Sequence, residues 1–324
     1  MLFKNEIIEL LKNIPKPVNP LDLDLVLEGG AFNGSYAIGV LLFLREMERQ
    51  GYIKVKRCSG TSIGAILSFM YLIDDLDSYL SYYRSLTLSF QRHINFKEVE
   101  RKIISKCKSL DEDTFQRIKN NILYVSYYNL TKKKHIVKKK YKNREELIKA
   151  LCKSCFLPLF TDYSFSLCDR ERERRKKKEG DNQHEFIDGF HPFIFHERNE
   201  KDKKIMYVSI VNLRNFHKML LVRNERNPYG RILSGVLDSY NFFSNNYGSK
   251  NKTKFCSMVN DWTFIDYFSI RLKEILSIIF IYIIFYIKKL YIYLEPCLNN
   301  NNFYFLFKSV CMNMYKDMML YFCI

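Results

Sequence analysis

Apolar and polar positions along this chain fall into short apolar runs and longer stretches of helical period. In residues 1–13, Ile7, Ile8, Leu10 and Leu11 lie on one side of a short amphipathic helix, which Pro15, Pro17 and Pro20 end as a stiff linker. Leu21-Asp22-Leu23-Asp24-Leu25-Val26-Leu27 reads as a strand and runs straight into Glu28-Gly29-Gly30-Ala31-Phe32-Asn33-Gly34. A strongly apolar helix follows from Ser35 to about Gln50, closed by Gly51. The apolar run Ile53 to Val55 leads to Cys58-Ser59-Gly60-Thr61-Ser62-Ile63-Gly64, after which Ala65 to Leu72 is helix-like. From Asp74 to Asn121 the pattern is helical, with Tyr79, Leu80, Tyr82, Tyr83 and Leu86 on the apolar face. Ile122 to Leu130 and His135 to Val137 predict a hairpin, and Arg144 to Cys155 a helix closed by Phe156-Leu157-Pro158-Leu159-Phe160. Glu185 to Asp188 is a short strand ending in an acid followed by Gly189, and Lys204 to Asn212 is a buried-type strand. Gly230 to Phe243, Thr263 to Leu294 and Phe303 to Phe322 are helical. Strands alternating with helices predict an α/β fold: three layers, a mainly parallel central sheet with helices on both faces, and a site at the carboxyl ends of the strands.

Two of these junctions carry chemistry. Gly60-Thr61-Ser62-Ile63-Gly64 sits where a strand turns sharply into a helix, the setting in which G-x-S-x-G acts as a nucleophile elbow. Glycines two before and two after the serine let strand and helix approach, and the turn lifts the hydroxyl over the N–H groups of the helix N-terminus. The stretch Gly29 to Gly34 is a second strand–loop–helix junction whose backbone N–H groups can converge on an anion. As a dinucleotide loop it lacks the middle glycine, where Ala31 stands, and the candidate ribose acids Glu46 and Glu48 lie inside the helix. No Gly-Lys-Ser/Thr follows, so the Walker pattern fails. An oxyanion hole needs two unencumbered N–H groups near a nucleophile, and the elbow serine comes one helix and one strand later.

Composition adds partners and compartment. The 324 residues are 47% hydrophobic and 27% charged, which describes a globular chain. A net charge of +17 calls for an anionic partner. No zinc-finger spacing, RNP-like motif or helix-turn-helix signature points to specific nucleic acid, so an anionic membrane surface is the expected partner. Nine scattered cysteines and a charged N-terminus predict a reducing, cytoplasmic setting with free thiols. Cys152 and Cys155 form a lone C-x-x-C with no second ligand pair. The run Arg170 to Lys178 reads as a solvated basic loop. Ile275 to Ile287 is thirteen residues without charge, shorter than the roughly 20 of a spanning helix, and Lys288 and Lys289 interrupt it before Leu290 to Leu294. The segment 275–294 predicts a lid-like or membrane-contacting helix that makes the protein peripherally membrane-associated.

The order Glu28-Gly29-Gly30-Ala31-Phe32-Asn33-Gly34, Gly60-Thr61-Ser62-Ile63-Gly64, Asp188-Gly189 resembles the patatin-like phospholipase family. Ala150 to Phe160 is similar to that family's alanine–serine–proline–phenylalanine segment. The resemblance covers roughly 21–215, and divides the chain into an N-terminal helix and linker (1–20), a catalytic domain (21–215) and a helical C-terminal region (216–324). It implies a lipid acyl hydrolase acting on phospholipid or another acyl lipid, with Ser62 as nucleophile and Asp188 as general base. It also implies an oxyanion loop at Gly29, Gly30, Ala31 and Gly34, and no cofactor or metal. Two positions depart from its pattern: Asn33 stands for Arg or Lys, and Phe190 for a small residue. Alternatives are a Ser–Asp–His esterase using His191, His196 or His217, and an inactive lipid-binding or scaffold module of the same fold.

Overall fold

The computed structural model describes residues 2–93, 96–162, 164–168, 184–195, 204–212, 216–219, 228–244 and 252–298, with a few positions between 309 and 317. The basic run 170–178 and most of the expected helix 303–322 lie outside the described residues.

The chain opens with α1 (Lys4–Leu11), whose Ile7 and Leu11 are fully buried in the main core. The Tyr52 hydroxyl donates to the Leu11 carbonyl at 3.1 Å, so this helix is fastened to the fold beyond its proline linker. Strand β1 (Leu21–Leu27) follows, then α2 (Gly34–Arg49), β2 (Ile53–Thr61) and α3 (Ile63–Leu72). The strand before the serine is therefore nine residues long, well beyond the apolar run 53–55. Its Arg57 donates through Nε to both carboxylate oxygens of Asp24 at 3.0 Å, which is how β1 accommodates a buried acid. The helical pattern of 74–121 resolves into α4 (Tyr79–His93), α5 (Lys97–Lys108) and α6 (Glu112–Ile118). The hairpin β3 (Asn120–Asn129) and β4 (Lys134–Lys140) comes next, followed by α7 (Arg144–Ser154), which Asn143 caps by accepting from the Glu146 N–H at 2.9 Å.

The second half contributes β5 (Leu167–Cys168), β6 (Glu185–Asp188), β7 (Lys204–Val208), α8 (Tyr229–Ser244), β8 (Cys256–Met258) and α9 (Phe264–Leu298). The sheet runs β5-β6-β3-β2-β1-β7-β8, with β4 also on β3. Its centre is parallel (β3–β2–β1–β7), and β4, β5, β6 and β8 add antiparallel pairs. The region after residue 216 is thus more than helical. It supplies strand β8 to the sheet, and α8 packs on α2 at a crossing of two glycines. A Cβ on Gly39 would fall 1.9 Å from the Ile232 carbonyl, and one on Gly235 would fall 2.0 Å from that of Tyr36.

Helix α9 differs from every other element. Its 35 residues extend about 52 Å, and Phe264–Tyr293 is long and apolar enough to cross a membrane by length and composition. One stripe faces the protein: Lys273, Ser277, Ile281, Ile284 and Lys288, spaced three or four apart. Ile281 joins the small core of Tyr128, Leu130, Phe156 and Ile187, and Lys288 pairs with Glu185 and with the Ser166 hydroxyl. The opposite face, including Leu272, Leu276, Ile279, Ile283, Tyr286 and Leu290, is exposed.

Candidate active site

Ser62 stands between β2 and α3 at φ 54° and ψ −132°, a strained conformation for a residue with a side chain. The elbow is close-packed backbone on backbone. A Cβ on Gly60 would lie 2.4 Å from the Gly64 carbonyl oxygen, and one on Gly64 would lie 2.5 Å from that of Leu27. A serine in the N-cap position ordinarily spends its hydroxyl on the first turn, yet Ser62 makes no side-chain cap. Its N–H donates to Ser154 Oγ at 2.9 Å, and that hydroxyl donates to the Ser126 carbonyl at 2.7 Å. The Cys155 thiol donates to the Ser62 carbonyl at 3.4 Å.

The pairing of β3 brings Asp188 to the serine. Thr61 at the end of β2 pairs with Ser126, and the next residue of β3, Tyr127, pairs with Asp188 at the end of β6. Both lie on the edge of β3 opposite β4, so β2 and β6 meet head to head. Gly189 fits between them, since a Cβ there would be 2.8 Å from the Ser126 carbonyl oxygen. Asp188 is 1% exposed. Its Oδ1 accepts the Phe190 N–H at 2.7 Å and the Thr61 hydroxyl at 3.3 Å, while Oδ2 is buried with no full hydrogen-bond partner among the described residues. Burial raises this carboxyl to about 6, against the pull of the Ser62 hydroxyl, the Phe190 N–H and the Thr61 hydroxyl. Phe190 adopts φ 59°, and its ring meets Phe280 of α9 edge-on at 5.5 Å.

The glycine loop lies against the elbow. A Cβ on Gly29 would be 3.0 Å from Ser62 Cβ, and one on Gly34 would be 2.5 Å from Ile63 Cγ1. Ala31 is held at φ 45°. The Asn33 N–H donates to the Gly30 carbonyl at 2.9 Å, and the Gly34 N–H donates within the same turn. Among the described residues the Gly29, Gly30 and Ala31 N–H groups have no such acceptor. The loop's polar side chains are spent on holding it: Asn33 Nδ2 donates to the Ile210 carbonyl at 3.1 Å, and Glu28 accepts from Ser209 and Val211. Arg231 of α8 donates to the Phe32 carbonyl at 3.2 Å.

Beside Ser62 opens a mainly apolar pocket, partly open to solvent, beneath α4 and α5, lined by Phe32, Ile63, Tyr79, Phe96, Val99 and Leu157 among others. Of the three histidines singled out from sequence, His191 stacks on His135 with ring centroids 4.2 Å apart, and burial lowers it to about 4. His196 and the side chain of His217 lie outside the described residues. Cys152 and Cys155 are both held well above their ordinary range by burial, Cys152 at about 12, so they remain thiols. Sequence reasoning did not single out Ser126, Ser154, Arg231 or Lys273; Ser126, Arg231 and Lys273 fall in segments read only as strand or helix, and Ser154 in the segment 150–160 that carries the family resemblance.

The sequence model of the patatin-like phospholipase family matches residues 25–190, which spans the glycine loop, the elbow and the acid. No curated protein matches the chain.

Proposed function

Because the chain belongs to the patatin-like phospholipase family, we propose that it hydrolyses acyl lipids with Ser62 as nucleophile and Asp188 as general base. The observation that carries this reading is the head-to-head meeting of β2 and β6, which puts a strained serine with an uncapped hydroxyl beside a buried carboxylate. Ser62 Oγ attacks the ester carbonyl while its proton passes to Asp188, and the negative charge on the carbonyl oxygen meets the Gly29, Gly30 and Ala31 N–H groups. Removing one such donor typically costs about 2.7–4 kcal/mol of transition-state stabilisation. Collapse of the tetrahedral intermediate breaks the ester C–O bond, and the proton on Asp188 goes to the leaving alcohol. Water then attacks the acyl-enzyme with Asp188 again accepting the proton, releasing fatty acid and free Ser62. Gly34, whose N–H is used inside the turn, serves to pack the loop against Ile63.

The apolar cavity next to Ser62 suits one acyl chain, with the polar head left outside. Helix α9 supplies the lipid surface. Its inward stripe is tied to Glu28 near one end and Glu185 toward the other, so the helix lies along the protein and offers its outer face to a bilayer. The Ser–Asp–His alternative has less behind it, since the His191 ring is committed to His135.

The test is fatty-acid release from mixed phospholipid vesicles by the wild type, Ser62→Ala and Asp188→Asn, each checked for folding. Both variants are expected to lose roughly 10³-fold or more, while alanine at each of the three histidines is tolerated. Release that persists in Ser62→Ala overturns the reading, and lipid binding without release by the wild type favours the inactive module.

A further inference from the structure

The glycine loop is held from behind by a helix that lies outside the family match. Glu28, the residue before Gly29, is 6% exposed. Its Oε2 accepts the Ser209 hydroxyl at 2.8 Å and the Val211 N–H at 3.1 Å, and its Oε1 accepts Lys273 Nζ of α9 at 2.9 Å. The same ammonium donates to the Val211 carbonyl at 2.9 Å and to Ser209 Oγ at 3.3 Å, so all three of its N–H bonds are used. Residues 209–211 are in turn the wall on which the loop rests. Val211 Cγ2 stands 2.8 Å from where a Gly30 Cβ would be, and the Ile210 carbonyl takes the Asn33 amide. The loop also contains Ala31 in the left-handed region, a conformation that persists only where surrounding contacts over-determine it.

We propose that Lys273 is a positioning residue for the oxyanion loop, and that through it the seating of α9 on a lipid surface sets the rate of turnover. The idea rests on the lipid acyl hydrolase reading above. The same helix carries the clasp on its inward stripe and the broad apolar face outside, so a force that seats or lifts α9 acts directly on Glu28 and residues 209–211. Without the ammonium, Glu28 keeps a buried carboxylate with no cation, and the wall behind Gly30 loses its fastening at the Val211 carbonyl.

The experiment uses the full chain with a water-soluble acyl ester, so that vesicle binding does not enter the rate. Lys273→Met is expected to lower kcat roughly 10–100-fold with KM unchanged, as a displaced catalytic loop does. Adding Glu28→Gln to it is expected to lower kcat no further, because both changes undo one clasp. By amide hydrogen exchange, the hydrogen-bonded amides of Asn33 and Val211 lose protection in Lys273→Met while residues 60–64 keep theirs. Anionic phospholipid vesicles are expected to raise turnover of the soluble ester by the wild type and not by Lys273→Met. Unchanged protection at Asn33 and Val211 overturns the proposal, as does a loss confined to KM or an equal vesicle response in both proteins. Should Ser62→Ala leave hydrolysis intact, the assignment of Ser62 as nucleophile falls, and the exchange measurement alone still decides whether Lys273 holds the loop.

Discussion

The elbow and the glycine loop touch each other, yet they are built in different ways. The elbow is over-determined from nearby: glycine backbones pack against one another, and Ser154 and Cys155 bind the N–H and carbonyl of Ser62 itself. Every one of those partners lies within residues 25–190. The loop is held by side chains from the far end of the chain, Arg231 on α8 and Lys273 on α9. One half of the site is therefore rigid by local sterics, and the other depends on distant helices being docked. On the proposed reading, such a division lets Ser62 stay poised while the N–H groups of the loop respond to what α9 touches.

The comparison breaks hardest at the elbow. Gly60→Ala or Gly64→Ala puts a methyl within about 2.5 Å of backbone oxygen, which neither strand nor helix can yield. A loss of roughly 3 kcal/mol or more is expected, seen as a collapse of Tm or failure to fold. An unperturbed Tm would mean that the elbow is looser than its geometry implies. The pH dependence separates the base from the loop. With Asp188 raised to about 6, kcat/KM on a soluble ester should fall as pH drops through 6 and level off above it. The stability sign is opposite to that of a salt-bridged acid. Because folding raises this pKa from 3.8, stability falls as pH rises from about 4 to 6 and is flat beyond. Asp188→Asn is therefore expected to be more stable than wild type by about 3 kcal/mol at pH 8 and by well under about 1 kcal/mol at pH 4. The smallest effect belongs to Phe190. Glycine there relieves a left-handed backbone worth about 1–2 kcal/mol but loses the ring contact with Phe280, worth about 1 kcal/mol. A net change within about 1 kcal/mol is expected in denaturant titration, and a large loss would show that α9 depends on that ring.

Much of the site was legible from the chain. Glycine spacing around Ser62, the loop after β1 and the Asp188-Gly189 pair each reflect local constraints: no other residue type fits so close an approach. Short-range pattern also identified β1, α2 and the β3–β4 hairpin, because alternation and period act over a few residues. It under-read β2, since Lys54, Lys56 and Arg57 interrupt its apolar run while the sheet still pairs it through Thr61. It also read the region after 216 as helical, because β8 is three residues long and is a strand only by pairing with β7.

The sequence by itself therefore determined the candidate site residues and the turns that present them, which are set by steric demands within a few residues. Only the tertiary structure decided how those groups meet. The shared edge of β3 joins residues 62 and 188, and the docking of α8 and α9 brings Arg231 and Lys273 to a loop 199 and 245 residues earlier. Contacts of that range leave no periodic trace, because each is one side chain whose partner is selected by the packing of whole elements.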